Sequence, residues 1–158
     1  MSELTLTASA MFANAARFTD AYHAVIAPLC EKTQLPPAAV DILLFLANNP
    51  GHDTAAAVCR MRGLKPGIVS FHVDRLVTEG YLLRQSVPGD RRKTMLTCTE
   101  KAAPIITQGR ALQRAFAEQL TDGLSEEDLE HFRRCIAVFD RNIERIRTGT
   151  CKRREAQP

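Results

Sequence analysis

A mainly α-helical fold with one small β wing is the class this sequence predicts, and three observations predict it. Apolar residues recur at helical spacing along most of the chain. Only Tyr81 to Gln85 and Thr94 to Cys98 read as paired strands, and the stretch between them, Ser86 to Lys93, carries the turn dipeptide Pro88-Gly89. The order is helix, short turn, helix, charged hairpin, which is the order of a winged helix-turn-helix, with long amphipathic helices outside it at both ends.

The elements follow one by one. From about Ser9 to Cys30, Phe12, Ala15, Ala16, Phe18, Tyr22, Val25, Ile26 and Leu29 mark a long helix with Pro28 in its last turn. Leu35-Pro36-Pro37 breaks it, and a second helix runs from near Pro37 to Asn48, closed by Asn49-Pro50-Gly51. Asp53 or Thr54 caps a short third helix through Met61, which Gly63 ends in the left-handed conformation that glycine adopts cheaply. A fourth helix spans Gly67 to Glu79. Its inner face is Val69, Val73, Leu76 and Val77, and its outer face is Gly67, Ser70, Phe71, Asp74 and Thr78. After the hairpin, Thr99 is placed to cap a fifth helix, Glu100 to about Leu120, with Pro104 in its early turns. Ser125 and Asp128 stand at capping-box spacing before a sixth helix striped by Leu129, Phe132, Ile136, Phe139, Ile143 and Ile146.

This pattern divides the chain into residues 1–34, an N-terminal dimerisation helix; 35–98, a winged helix-turn-helix DNA-binding domain; 99–147, C-terminal dimerisation helices; and 148–158, a basic tail expected to be disordered. The terminal stripes exceed what the small central domain can cover, and a second copy of the chain is the surface that would cover them. A homodimer built this way sets two reading helices about one turn of duplex apart.

Charge placement says more than charge total. The formal net charge of +3 is mild, yet Arg84, Arg91, Arg92 and Lys93 cluster at the hairpin, while Glu118, Asp122, Glu126, Glu127, Asp128 and Glu130 gather around the sixth helix start. On the reading helix, Lys65 and Arg75 suit phosphates, Ser70 suits phosphate or base, and Pro66, Gly67 and Asp74 complete the approach face. Phe71, exposed by helical position, suits thymine methyl groups. Arg84 reaches DNA or pairs with an acidic neighbour at the base of the wing. His72 reads as a hydrogen-bonded, partly buried histidine.

Several classes are excluded by what the residues lack. The five cysteines, Cys30, Cys59, Cys98, Cys135 and Cys151, are odd in number and irregularly spaced, so neither a disulfide framework nor a zinc pattern is expected. The four histidines are scattered singly, and no metal or cofactor is expected. No nucleophile elbow, phosphate-cradling glycine loop or framed carboxylate pair supports an enzyme. Neither an export signal nor a spanning segment is read, which makes the expected location cytoplasmic, without a membrane partner.

Ala27-Pro28-Leu29 with Leu35-Pro36-Pro37-Ala38-Ala39-Val40-Asp41-Ile42-Leu43, then Gly63-Leu64, Val69-Ser70, Val73-Asp74-Arg75-Leu76, Glu79-Gly80-Tyr81-Leu82 and Asp90-Arg91-Arg92 before Thr99-Glu100-Lys101, together resemble the MarR family of bacterial transcriptional regulators. The resemblance implies a homodimeric regulator, in the first instance a repressor, that binds double-stranded DNA at a pseudo-palindromic operator and is released by a small aromatic or phenolic effector. It also implies that Arg92 enters the minor groove, with Asp90 holding it and Arg91 nearby. The chain departs from the family pattern at Phe71, His72, Cys98 and Ala102, so the operator sequence does not transfer. Some members are switched by thiol oxidation, for which Cys30 and Cys151 are the more exposed candidates, with Cys59 and Cys98 expected to be buried. Two alternatives stand beside the main reading: a thiol-oxidation sensor of the same fold, and a winged-helix protein-interaction module without DNA binding.

Overall fold

A computed structural model describes residues 7–149 apart from residue 88, and gives the backbone but not the side chains of residues 87 and 90–93. The elements run α1 (Ala8–Thr33), α2 (Pro37–Asn48), α3 (Ala55–Arg62), α4 (Pro66–Thr78), β1 (Leu82–Val87), β2 (Asp90–Cys98), a 3-10 turn (Glu100–Ala102), α5 (Ala103–Leu120) and α6 (Glu126–Arg147). The chain divides into two compact units, Met1–Phe116 and Ala117–Pro158.

The first unit is built around α2. Ala39 through Phe45 are all buried in sequence, including Asp41, so this helix is enclosed on every side. Pro37 opens it at a position whose N–H would have no intrahelical partner. Onto α2 pack Tyr22, Ile26, Leu29 and Cys30 of α1, Val58 of α3, Val69, Val73 and Leu76 of α4, Leu82 and Leu96 of the hairpin, and Ile105 and Ile106 of α5. Gly109 marks the closest approach of α5 to α2, because a Cβ there would lie 2.6 Å from Leu44 Cδ2.

Local caps explain the boundaries. Thr7 accepts from the Ala10 amide at 3.1 Å and starts α1 earlier than periodicity indicates, and α1 runs on to Thr33 before Gln34 turns left-handed at φ 57°. Thr54, rather than Asp53, caps α3 by accepting from the Ala57 amide at 3.1 Å. Gly63 takes φ 64° and closes α3, and α4 opens one residue before the expected Gly67 with Pro66 in its first turn.

The hairpin is longer and its turn tighter than expected. β1 reaches Val87 and β2 begins at Asp90, so of the stretch Ser86 to Lys93 only residues 88 and 89 lie between the strands, with Gly89 at φ 85°. The antiparallel register runs regularly from Leu82↔Cys98 to Ser86↔Thr94 and then jumps to Val87↔Asp90. The jump leaves 91, 92 and 93 of β2 without partners on β1, which is a bulge larger than the single-residue kind. The Leu96 amide donates to the Asp53 carbonyl at 2.7 Å and fastens β2 to the segment before α3.

Thr99 does not cap the fifth helix. Its hydroxyl donates to the Gly80 carbonyl at 2.7 Å and its amide to the Tyr81 carbonyl at 3.0 Å, closing the base of the hairpin. A 3-10 turn intervenes, and α5 begins at Ala103. Pro104 is therefore the second helical residue and costs no helical hydrogen bond.

In the second unit, Ser125 and Asp128 form the expected capping box: the Asp128 amide donates to Ser125 Oγ at 3.1 Å and the Ser125 amide to Asp128 Oδ2 at 3.0 Å. No residue of α6 is buried, and Phe132, Ile136, Phe139, Ile143 and Ile146 are all exposed.

Candidate nucleic-acid interface

The outer face of α4 emerges as the periodicity requires. Gly67, Ser70, Phe71, Asp74 and Thr78 are exposed, while Val69, Val73 and Leu76 are buried and Val77 half-buried. Lys65 stands at the N-cap and Pro66 and Gly67 in the first turn; Pro66 has no N–H, and the Ile68 and Val69 amides donate to the Lys65 carbonyl at 3.0 and 3.1 Å. Phe71 is 64% exposed, which places an aromatic ring outward at mid-helix. It meets only the edge of His72 among described rings, at 5.1 Å between centroids.

Two arginines expected to face DNA are engaged within the chain. Arg84 of β1 pairs with Asp74 of α4, so the strand is strapped to the reading helix. Both side chains stay open to solvent at 43% and 59%, and a phosphate can compete for the guanidinium. Arg75 is held more fully: its Nε donates to Glu79 at 2.6 Å and its Nη2 to the Gln34 carbonyl at 2.8 Å. It thus satisfies a carbonyl at the left-handed end of α1 and sets α4 against α1. The sequence assigned Arg75 to phosphates; without DNA it makes this scaffold contact.

Ser70, Pro66 and Arg84 meet around one groove of about 700 Å³ between α3, α4 and the hairpin, which Cys59, Arg60, Val73 and Leu96 also line. The side chains of Asp90, Arg91, Arg92 and Lys93 lie outside the described residues, although the backbone of Asp90 pairs with Val87 and that of 91, 92 and 93 falls in the bulge of β2.

His72 is buried, as its place beside the core face demands, but its Nδ1 has no hydrogen-bond partner among the described residues, contrary to the hydrogen-bonded histidine expected. Burial, followed by the nearby Arg75 charge, lowers its pKa.

The thiols correct the sequence reading. Cys30 is buried against the core, not exposed, and burial together with the Asp41 carboxylate raises its pKa, which disfavours the reactive thiolate. Cys59 and Cys98 are half-buried rather than buried, and burial raises the Cys98 pKa while its Sγ points at the Leu43 carbonyl at 3.8 Å. Among the described residues Cys135, on α6, is the exposed thiol, and sequence reasoning passed over it. Cys151 lies outside the described residues.

Sequence reasoning also missed a polar cluster beside the core. Asp41 interrupts the apolar run of α2, and its Oδ2 lies 3.6 Å from both His23 Nε2 and Arg62 Nη2. Nearby, Gln113 donates to the Tyr22 hydroxyl at 3.0 Å and accepts from Asn48 at 3.0 Å, and Arg110 donates to Asn48 at 2.8 Å, joining α1, α2 and α5. The one available signal was a carboxylate inside an otherwise apolar helix.

Among the described residues, no group of His, Cys, Asp and Glu is placed to hold a metal ion, and no helix is long and apolar enough to cross a membrane.

Three helices ending in an outward-facing fourth-position helix and a strapped antiparallel hairpin define a winged helix-turn-helix protein. Comparison with known proteins agrees: a MarR protein from Peptoclostridium difficile superposes with a TM-score of 0.76 over 96% of this chain and 98% of its own at 14% identity. CouR, a transcriptional repressor bound to a 23-mer DNA duplex, gives 0.67 over 89% and 96% at 24% identity. CouR from Rhodococcus jostii RHA1 bound to p-coumaroyl-CoA gives 0.66 over 86% and 93% at 18% identity. Residues 33–93, from the end of α1 through the bulge of β2, match the MarR family itself. The chain therefore has a winged helix-turn-helix fold, and its stretch 33–93 is similar to the MarR family.

Proposed function

We propose that this protein is a sequence-specific DNA-binding repressor that acts in the cytoplasm as a homodimer on a pseudo-palindromic operator and is released by a small aromatic or phenolic effector. The observation that carries the reading is the outer face of α4, where Ser70, Phe71 and Asp74 stand exposed beside a hairpin whose unpaired β2 positions are Arg91, Arg92 and Lys93. In the complex, α4 enters the major groove with Lys65, Pro66, Gly67, Ser70, Phe71 and Asp74, while Asp90, Arg91 and Arg92 bring the wing to the backbone and minor groove. Arg84 joins them when a phosphate displaces it from Asp74; Arg75 acts by holding α4 in place.

Dimerisation is supported by the exposed stripe Phe132, Ile136, Phe139, Ile143 and Ile146, which is apolar on one face over the length of α6. The DNA-bound and ligand-bound structures of CouR lend the operator and effector parts of the reading their precedent in a similar fold. Selection of bound sequences from a random duplex pool tests the reading: enriched sites show two inverted half-sites spaced by about one helical turn. Arg92→Ala lowers affinity across sequences and reduces the salt slope by about one. Retention of no duplex at low salt, with the protein behaving as a dimer, would instead favour a protein-interaction module.

A further inference from the structure

On the DNA-binding reading above, on which this step rests, we propose that Asp74 selects a cytosine in each half-site, and that its pairing with Arg84 frees the arginine for a phosphate only where that cytosine is present.

The two residues meet because helix and strand each turn one face to the other. Asp74 stands on the outer face of α4, one turn beyond Ser70, and Arg84 of β1 donates to its carboxylate. Arg84 shares a face of β1 with the buried Leu82, while Leu83 between them points to solvent. The strand thus delivers the guanidinium over α4, beside the groove that Arg84 and Ser70 both line. Arg75 and Arg84 are held differently. Arg75 donates to two acceptors, the Glu79 carboxylate and the Gln34 carbonyl, whereas Arg84 donates to Asp74 among the described residues. Of the two, Arg84 is the guanidinium that a phosphate can draw away.

Drawing it away strips a carboxylate of its donor at the moment docking removes water from α4. A charged acceptor left unsatisfied costs at least as much as a hydrogen bond returns. On a sequence that offers Asp74 no donor, the pair therefore stays closed and Arg84 adds no phosphate contact. Donors in the major groove are few: cytosine N4 and adenine N6 carry them, whereas guanine presents O6 and N7, and thymine O4 and a methyl group. Adenine sets its N7 acceptor next to N6, against the second carboxylate oxygen. Cytosine has no acceptor on that edge, so it is the base a carboxylate reads best. Over a cytosine, the N4 amino group takes the place of Arg84 on Asp74, and the guanidinium moves to the backbone. One donor is exchanged and one phosphate contact is gained.

Two measurements on the full chain test this. In the first, duplexes are selected from a random pool by the parent and by Asp74→Asn. Asparagine pairs with adenine N6 and N7, so one position in each half-site is expected to change from cytosine to adenine, with about tenfold discrimination against the other bases. Both side chains are open to solvent, so these substitutions leave the core untouched. Should Asp74→Asn fail to fold, Asp74→Ala is expected to lose the cytosine preference without gaining one for adenine. In the second, Arg84→Gln is titrated with salt on the selected site and on the same site with that cytosine changed to thymine. The salt slope is expected to fall by about one on the cytosine site and to change little on the thymine site.

The proposal is overturned if parent and Asp74 variants select the same base at every position, if the altered position is not cytosine in the parent, or if Arg84→Gln changes the slope equally on both sites. A parent that enriches no sequence at all sinks the regulator reading and this specificity with it. A parent that enriches a site indifferent to Asp74 sinks the specificity alone.

Discussion

The helices α2 and α6 make opposite use of apolar residues. α2 is closed on every side by its own chain, with Ile42 and Leu43 fully buried, while α6 concentrates its apolar residues on one stripe and buries none of them. The first pattern is a helix whose place is determined by packing within its own unit; the second is an amphipathic helix whose apolar face is left uncovered. One molecule therefore combines a winged-helix core closed by its own packing with a helix whose apolar stripe lies exposed.

The largest effect should separate these regions. Leu43→Ala is expected to destabilise the fold by about 2–5 kcal/mol in denaturant unfolding. Phe139→Ala should change monomer unfolding by less than about 0.5 kcal/mol yet lower the mass seen in sedimentation equilibrium at a fixed concentration. Equal stability losses, or an unaltered assembly, would erase the contrast. Next in size is Gly109→Ala, which places a methyl group against Leu44 and should cost about 1–3 kcal/mol as the core repacks. A neutral result in thermal unfolding would mean Leu44 yields easily.

Smaller effects probe the helix ends. Ser125→Ala removes the cap of α6 and should lower its stability by about 1 kcal/mol, seen as lost helicity in circular dichroism. The Ser125 hydroxyl, then its backbone amide, holds the Asp128 carboxyl below the usual carboxylate range. Because the folded pKa is the lower one, this contribution is present above the unfolded carboxylate pKa of about 4 and fades as pH falls through the folded value. Helicity of α6 should decline in acid, and the decline should shrink in the Ser125→Ala variant. Smallest is Arg75→Gln, expected to cost under about 1 kcal/mol because its ion pair is partly exposed. Its diagnostic sign is a shift in amide resonances at the C-terminus of α1, where Gln34 loses its donor.

What could be read from sequence was local. The outward face of α4, the left-handed Gly63 and the Ser125–Asp128 box each follow from residues within a few positions of one another. Longer-range facts were hidden for a physical reason. Cys30 looks exposed by its place near a helix end, and only the docking of α1 on α2 buries it. Arg75 sits toward the outer side of α4, but its flexible side chain reaches back to Gln34, a contact helical periodicity cannot show. Thr99 resembles a cap until the hairpin brings Gly80 to its hydroxyl. His23, Asp41 and Arg62 come from three helices and share no spacing signature. Of the proposed DNA contacts, the backbone positions of Lys65 through Arg75 and of the wing strands are now placed, while the operator depends on base edges that no residue of this chain encodes by itself.

The register jump in β2 has an evolutionary consequence. Because positions 91, 92 and 93 have no opposite number on β1, the ladder from Leu82 to Ser86 does not depend on which side chains occupy them. Substitutions there can raise or lower the cationic character of the tip without disturbing the pairing that supports it. The charge of the tip and the ladder beneath it can therefore diverge separately among related chains.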